Sequence, residues 1–404
     1  MNTNWFMMLF GIYLTIFPLF PSAINRKTLF TEFFMLILMI IYLAINLKSK
    51  DKKIQFIKNL KEFFTDKLSI TLLVLLGFML ISISYSTDLI LVLKDSMRFI
   101  VALGIFFIVR FEIKSKKSLD NLIKLIYIPA FIEFTYGIIQ YITGWGLIFH
   151  TGDIARIEGN VGHPNTLAGY AVLLFFPLFF IMVNEKKKKW KIFYAVELLL
   201  LVVNIVLTFS RNSWLALVLG ILILCIYYSW KFLIPLGIGG IIALSISTIR
   251  LRLTQFVDPN INSGRIKIWT LTLKCFKEHP ILGVGAGNYE AVHKSYVARY
   301  PQYDPGEQIY HTHNVYLKML SELGIVGFVT YVVGAFFILK KIFTVHNKLS
   351  GYYKDLMGGI LISFITAYFV INMFDNVMVL PQIMNYFYLF LGIVYVIERL
   401  NKNA

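Results

Sequence analysis

Long apolar runs separated by short polar breaks dominate the chain. Each run has roughly 17–23 residues, the length that a helix needs to cross about 30 Å of hydrocarbon. The short alternating segments of a membrane β-barrel are absent. The pattern therefore predicts an all-α integral membrane protein with about twelve transmembrane helices. The expected spans are 5–24, 28–47, 68–86, 97–111, 122–142, 166–183, 192–209, 213–229, 232–249, 316–339, 356–375 and 383–397.

The composition agrees with a single polytopic membrane domain over residues 1–404. Hydrophobic residues make up 58% of the chain and charged residues only 15%, which is more apolar surface than a soluble domain could bury. We see no internal repeat and no separate soluble domain. The first apolar run has no small-residue cleavage site after it, so we expect a retained helix. The two cysteines, Cys225 and Cys275, are too few for a disulfide framework.

Lysines cluster in every second loop. The net charge of +17 lies largely in short loops between apolar runs, which is typical of cytoplasmic membrane loops and does not indicate nucleic-acid binding. One topology satisfies these loops together and places both termini in the cytoplasm, with Arg26 and Lys27 as a minor exception. The lysines are Lys48, Lys50, Lys52, Lys53, Lys114, Lys116, Lys117, Lys186, Lys187, Lys188, Lys189, Lys231, Lys340, Lys341, Lys348 and Lys354.

Arginines concentrate in the opposite loops. Guanidinium groups hold phosphate with two hydrogen bonds and keep their charge, so this outer surface is suited to an anion, phosphate above all. The alternative is that single arginines reach from helix ends to lipid headgroups, which we expect of Arg98, Arg250, Arg252 and Arg299. The outer arginines are Arg98, Arg156, Arg211, Arg250, Arg252, Arg265 and Arg299.

Two outer loops are long. Residues 143–165 are glycine-rich and end in Pro164 and Asn165, which predict a turn and a cap before a helix near Thr166. Residues 250–313 form the larger loop, between the ninth and tenth spans. Within it, apolar residues from 266 to 276 recur at helical spacing and predict an amphipathic helix that stops at Pro280.

The rest of the larger loop holds glycines and tyrosines. Gly283-Val-Gly-Ala-Gly287 lacks the preceding strand and the Lys-Ser/Thr of a phosphate-binding loop, so it indicates a turn. Residues 288–300 predict a second helix. The tyrosines at 289, 296, 300, 303 and 310 either stack on sugar rings or pack against helices.

Two positions indicate chemistry. Arg211 stands between two apolar runs with almost no loop, where an ionised residue is costly and points to function; capping the preceding helix is the alternative. His313 stands just ahead of an apolar run, where it serves either as a general base or, with Asn314, as a helix cap. No acidic pair has metal-ligand spacing in the outer loops, and His311 and His313 lack further ligands, so we predict no metal site.

Several ordered motifs resemble the O-antigen ligase family, which includes O-antigen polymerases and bacterial O-oligosaccharyltransferases. His313-Asn314 precedes Gly324-Ile-Val-Gly327 as in that family's signature. The other matching motifs are Gly162-His-Pro-Asn-Thr-Leu-Ala168, Ser210-Arg211, Gly264-Arg265 with Trp269, and His279-Pro-Ile-Leu-Gly283. The resemblance covers roughly residues 155–335 by motif and the whole chain by topology. It implies a GT-C-like fold with the large, partly helical extracytoplasmic loop at 250–313.

The resemblance also implies an activity. In that family a glycan is transferred, without a metal or another cofactor, from undecaprenyl diphosphate to a sugar hydroxyl of an acceptor. By position, Arg211 and Arg265 would hold the diphosphate and His313 would activate the acceptor. A base opposite the leaving group favours direct displacement with inversion. Arg156, Asn314 and Trp269 lie in the matching region and are further candidates for substrate binding.

The expected setting is a bacterial cytoplasmic (inner) membrane, with the site on the extracytoplasmic face and a role in assembling O-antigen, capsule or wall polymer. The acceptor is a saccharide or a lipid-linked glycan, so polymerase and ligase both remain open, with a slight preference for polymerase. A flippase and a chain-length regulator are candidate partners. A polysaccharide flippase or transporter and a protein O-oligosaccharyltransferase are the alternatives, but a transporter favours mid-span charges and short loops on both sides.

Overall fold

The structure, a computed structural model, describes residues 3–150, 154–255, 259–306, 311–376 and 379–402. In the first half it has nine α-helices: α1 Thr3–Leu19, α2 Ser22–Thr28, α3 Phe30–Leu47, α4 Lys50–Thr65, α5 Lys67–Ile81, α6 Leu89–Glu112, α7 Lys116–Thr143, α8 Pro164–Asn184 and α9 Lys188–Leu207. The second half continues with α10 Arg211–Tyr227, α11 Leu233–Ser245, α12 Ser247–Thr254, α13 Pro259–Glu278, α14 Tyr289–Arg299, α15 Val315–His346, α16 Gly351–Thr366, α17 Asn372–Phe374 and α18 Pro381–Lys402.

All twelve predicted spans coincide with helices, but not all are typical membrane spans. Eight described helices are long and apolar enough to cross a bilayer. Of the others, α1 and α10 are shorter, and α11 and α12 form a pair bent by 96°. The remaining helix, α6, carries Lys94, Asp95, Arg98, Arg110 and Glu112. A multi-pass, mainly helical membrane protein is therefore confirmed, whereas the number of twelve spans stays a prediction.

The helices alternate in direction, so their connections fall at two ends of the bundle. At one end, the Ser22 amide donates to the Asn160 carbonyl over 2.8 Å. At the other, Asn184 donates to Asp355 over 3.0 Å and Lys341 pairs with Glu398 at 2.6 Å. The lysine clusters predicted to be cytoplasmic lie at this second end, which we call the lysine-rich end. The first end, which carries residues 144–150, 154–163, 246–255, 259–306 and 311–314, is the site end.

Three helical segments form the centre of the bundle. Most residues of the apolar window are buried inside the protein in α8 (78%), in the segment from α16 through α17 (78%) and in α18 (83%). Aromatic rings join these segments: Phe364 of α16 stacks on Phe387 of α18 at 3.8 Å between ring centroids, and the ring centroids of Tyr170 of α8 and Tyr386 of α18 are 4.9 Å apart. A rigid centre of this kind can hold the loops at the site end in fixed positions.

The loop before α8 contains the only strands of the described chain. Strand β1 (Ile148–His150) pairs antiparallel with β2 (Ile154–Arg156), with Ile148 opposite Arg156. Pro164 and Asn165 were expected to form a turn and a cap before a helix that begins near Thr166. The helix α8 instead begins two residues earlier, at Pro164, and His163 is its cap. Proline suits the first helical turn because its missing N–H needs no partner there.

The predicted helices of the 250–313 interval are present. Helix α13 ends at Glu278, just before Pro280, and α14 covers Tyr289–Arg299. The glycine turn between them docks against α15 through backbone hydrogen bonds, from the Gly285 amide to the Glu322 carbonyl and from the Ile325 amide to the Pro280 carbonyl, both 2.8 Å. This interval is thus partly embedded in the bundle.

Two glycines make that docking possible. Gly283 and Gly324 both have positive φ, +68° and +62°. A Cβ on Gly283 would collide with the Glu322 backbone, and one on Gly324 with the Ile281 carbonyl. The two glycine motifs, separate in sequence, therefore form one backbone contact that fixes the start of α15.

Candidate active site

Four arginines converge at the site end from four different elements. Arg156 ends β2, Arg211 is the first residue of α10, Arg252 lies on α12 and Arg265 lies on α13. Each of the other three contributes a repulsive charge at Arg156. We call these four residues the arginine cluster.

Arg156 is buried and firmly held. Its Nε donates to the Thr208 carbonyl over 2.6 Å, and its Nη2 donates to the Asn165 side chain over 2.8 Å. The β-hairpin thus places this guanidinium between the start of α8 and the end of α9. Because only 5% of the residue is exposed, its charge acts within the site and not toward bulk solvent.

Arg211 and Arg252 both donate hydrogen bonds to Gln255. Arg211 donates through Nη1 to the Gln255 carbonyl, while Arg252 donates through Nε to the Phe209 carbonyl over 3.1 Å and through Nη1 to the Gln255 side chain. These acceptors are neutral groups, and the contacts orient the two guanidiniums.

The electrostatic balance of the cluster is strongly positive. Burial first, and then repulsion from Arg252, lowers the pKa of Arg156 to about 9, while Asp375 opposes this and Arg211 and Arg265 add to it. The group still keeps its proton at neutral pH. Like charges held together in this way are costly unless an anion joins them.

His313 faces this cluster across Asp375. Its Nδ1 lies 3.4 Å from Asp375 Oδ1. The backbone of His313 has φ +46°, a left-handed conformation that is uncommon for residues with a side chain and is enriched at functional sites. With Nδ1 turned to the carboxylate, Nε2 is the nitrogen free to serve as a base, as in other His–Asp pairs.

Asp375 is the hub between the histidine and the arginines. Its Oδ2 accepts from Asn165 Nδ2 over 2.6 Å, and Asn165 in turn accepts from Arg156. Burial raises the pKa of this carboxyl, but the hydrogen bond and charge of His313, together with His163 and Arg265, outweigh burial and hold it well below its usual range. Asp375 is thus ionised whenever the site is active.

Asn314 and Trp269 hold the segment that carries His313. Asn314 caps α15, accepting from the Leu317 amide over 3.0 Å and donating to the Met373 carbonyl over 3.0 Å. Trp269 Nε1 donates to the Thr312 carbonyl over 2.9 Å. Both predicted substrate-binding side chains are therefore engaged in positioning, and their direct contact with a substrate stays a prediction.

A second group of charged side chains lies near His311, away from the arginine cluster. Lys318 pairs with Asp95 at 3.1 Å and with Glu322 at 2.6 Å, and Arg98 lies 3.4 Å from Asp95 and 3.6 Å from Glu32. Here each cation is paired with two carboxylates, unlike in the arginine cluster. The matched charges join α6 to α15 and support the fold.

The structure brings together the predicted Arg156, Arg211, Arg265 and His313, and adds two residues. Arg252 was expected to reach lipid headgroups; its place in the cluster corrects this, because α12 turns back over α10. Asp375 was missed altogether. An acidic residue at the end of an apolar span is itself a functional signal, so it could have been found.

The remaining outer residues are mostly structural. Arg299 pairs with Glu278 and lies over the Tyr296 ring, and Arg250 donates to carbonyls at the end of α11. Tyr289 and Tyr296 are buried in packing, whereas Tyr310 lies outside the described residues. Among the residues that the structure describes, no group of three or more His, Cys, Asp and Glu side chains could hold a metal ion.

These features define a class: a multi-pass membrane protein with an arginine cluster and a His–Asp pair at one end of its bundle. In a comparison with family models, the model described as O-antigen ligase matches residues 196–332. The resemblance read from the motifs is confirmed over this stretch, which contains Arg211, Arg252, Arg265 and His313. Arg156 and Asp375 lie outside it.

The match also supports the coarser functional predictions. The O-antigen ligase family is of the glycosyltransferase type, with a role in surface polysaccharide assembly in the bacterial inner membrane. A comparison with curated proteins found no match.

Proposed function

We propose that the protein transfers a glycan from undecaprenyl diphosphate to a sugar hydroxyl, with the reaction at the site end on the extracytoplasmic face. The observation that carries this proposal is the arginine cluster beside the His313–Asp375 pair. The arginine cluster holds the anionic diphosphate, and the His313–Asp375 pair removes a proton from the acceptor. Glycan transfer from a lipid diphosphate needs both.

The charge of the cluster suits a diphosphate leaving group. Three other arginines repel the charge of Arg156, and Asp375 opposes them, so binding of an anion would relieve the repulsion. A diphosphate gains about one negative charge when its glycan bond breaks. The cluster therefore binds the leaving group more strongly than the intact donor, which is the differential binding that lowers a barrier.

The His–Asp pair supplies the other half. In this proposal the acceptor hydroxyl gives its proton to His313 Nε2, and its oxygen forms the new bond to the anomeric carbon. The C–O bond to the diphosphate breaks, and the leaving oxygens stay with the arginines. Base and leaving-group site on opposite sides of the sugar favour direct displacement with inversion, and no metal is required for either step.

The test is incubation of the purified protein with a lipid-diphosphate repeat unit in EDTA. A ladder of products means a polymerase, whereas a product that forms only after a separate saccharide acceptor is added means a ligase. No transfer with either acceptor, or transfer only after a divalent ion is restored, contradicts the proposal. Anomeric configuration of the product, read by NMR, tests inversion.

The polymerase alternative keeps its slight preference from the sequence, and the described contacts favour neither acceptor. A flippase has less support, because it leaves the arginine cluster beside the His313–Asp375 pair without a role.

A further inference from the structure

Helix α4 packs one narrow side against the bundle at the lysine-rich end. The buried residues on this side are Phe56, Asn59 and Phe63. The ring centroid of Phe107 on α6 lies 6.1 Å from that of Phe56 and 5.2 Å from that of Phe63. One ring of α6 thus contacts two residues that are about two turns apart on α4. Helix α4 therefore crosses α6 at an angle and does not run alongside it.

The side of α4 that faces away from the bundle carries exposed apolar residues. Ile54, Ile57 and Phe64 are separated by three and seven residues, which places them along one stripe of the helix. Their exposed fractions are 58%, 53% and 58%. Because apolar side chains are more stable in hydrocarbon than in water, this apolar stripe is better suited to lipid acyl chains than to solvent.

Four exposed lysines, which we call the α4 lysines, accompany the apolar stripe. Two lie within it and one lies on each flank. The two carboxylates of α4 lie outside the stripe: Glu62 pairs with Arg110 at 2.9 Å, and Asp51 is turned about 100° from the stripe. A long lysine side chain can follow an apolar surface and place its ammonium group at the level of lipid phosphates. The α4 lysines are Lys50 and Lys61 within the stripe and Lys53 and Lys58 on its flanks.

A second group of lysines at the same end of the bundle lacks an apolar stripe. Residues 186–189 are four exposed lysines around the start of α9. Because they are consecutive in the sequence, they point in different directions and do not alternate with apolar residues. The two groups therefore carry the same charge, but only the α4 lysines combine it with side chains that can enter a bilayer.

We propose that α4 lies in the membrane surface at the lysine-rich end and binds the headgroups of anionic phospholipids. The apolar stripe enters the acyl region, and the α4 lysines lie at the depth of the phosphates, as in other basic amphipathic helices. Zwitterionic lipids offer the same acyl region without net negative charge, so α4 prefers anionic lipids. Because Glu62 and Arg110 link α4 to α6, lipid bound at α4 also stabilises the folded protein.

The test titrates the purified protein in detergent with phosphatidylglycerol, which is anionic, or with phosphatidylcholine of the same acyl chains. The Tm is followed during the titration, and native mass spectrometry counts the lipids that stay bound. The α4 variant combines Lys50→Gln, Lys53→Gln, Lys58→Gln and Lys61→Gln. The matched control combines Lys186→Gln, Lys187→Gln, Lys188→Gln and Lys189→Gln. All eight side chains are exposed, so both variants should fold.

We expect phosphatidylglycerol to raise the Tm of the wild type more than phosphatidylcholine does. In the α4 variant, the phosphatidylglycerol concentration that gives half of this rise should increase at least about tenfold, because each lysine at a membrane surface contributes about a fivefold factor to binding. The control variant should stay close to the wild type. The number of bound phosphatidylglycerol molecules should fall in the α4 variant and not in the control.

An equal loss in the two variants would assign the lipid preference to overall charge and overturn the inference. Equal rises in Tm with the two lipids in the wild type would also overturn it. Salt gives a check that does not depend on the folding of any variant: about 1 M salt should abolish the wild-type preference for phosphatidylglycerol, because it screens charges at the surface. A preference that persists in salt would exclude the α4 lysines as its cause.

Discussion

Two buried arginine sites at opposite ends of the bundle use the same side chain differently. At the lysine-rich end, Arg110 pairs with Glu62 at 2.9 Å and with Asp66 at 3.5 Å, and its guanidinium lies 4.0 Å from the centroid of the Tyr395 ring. At the site end, Arg156 is repelled by Arg211, Arg252 and Arg265, and Asp375 opposes this repulsion.

The difference lies in the charge of the neighbours. Arg110 pairs with two carboxylates, so it links α4 to α6 and α18. The mutual repulsion within the arginine cluster costs folding energy, and in the proposed function an anionic substrate removes that cost. A buried arginine therefore indicates a binding site when its neighbours are other cations and a structural link when they are carboxylates.

The largest expected effect breaks the anion site. Arg211→Ala and Arg265→Ala should each lower the transfer rate by about two to three orders of magnitude, because each removes one charge that stabilises the leaving diphosphate. Arg211→Lys should recover only part of this loss, since an ammonium group lacks the paired donors. Rates are measured on purified protein with saturating acceptor, and membrane levels are checked by immunoblot. Near wild-type rates in Arg211→Ala would remove Arg211 from the mechanism.

Arg110→Ala tests the structural role of the arginine at the lysine-rich end. Leaving Glu62 and Asp66 without their partner should destabilise the fold by about 3 kcal/mol, seen as a lower Tm and less protein in the membrane. The protein that does fold should keep its KM for the donor, because Arg110 lies at the opposite end. A raised donor KM with unchanged Tm would contradict the structural role.

A smaller effect is expected from Asp375→Asn. The variant should lose roughly two orders of magnitude in rate, because His313 loses its orienting partner. The pKa of Asp375 is depressed on folding, so its contribution to stability is complete above the ordinary value of about 3.9 and is lost only as pH falls through the lower folded value.

Stability and rate measured together separate this role from simple destabilisation. A variant that only folded less well would show a reduced Tm, while its folded fraction would keep the wild-type kcat. That result would leave Asp375 as a structural residue.

The smallest effect concerns the scaffold that carries His313. Gly324→Ala should lower stability by about 1 kcal/mol or more, because the new Cβ meets the Ile281 carbonyl at a positive φ. Gly237→Ala is the matched control: a Cβ there meets nothing within 4 Å, and alanine favours the helix. Thermal unfolding followed by tryptophan fluorescence compares the two. Equal Tm values would mean that the glycine contact does not fix the start of α15.

Much of the fold follows from the sequence, because hydropathy and lysine placement reflect the bilayer directly. The start of α8 was placed two residues late, since proline can either end a turn or open a helix. The charges of α6 did not reveal their role, because their partners Glu62 and Lys318 come from distant segments. Such pairings depend on packing, which local patterns do not encode.

The site was predicted in part. Arg211, Arg265 and His313 stand out because each is a polar residue beside an apolar run within a family motif. Asp375 lies 62 residues after His313 in a different connection, and only the antiparallel arrangement of α15 and α16 brings the two together. Arg252 was read as a lipid contact because a sequence does not show that α12 bends back.

The central claim is that the arginine cluster holds the diphosphate without a metal. Calorimetric titration of the purified protein with a lipid diphosphate lacking a glycan, in EDTA, tests it most directly. We expect binding by the wild type that weakens with salt and falls at least about tenfold in Arg211→Ala, with Arg110→Ala unchanged if it folds. Binding that requires a divalent ion, or that is equal in wild type and Arg211→Ala, would contradict the account.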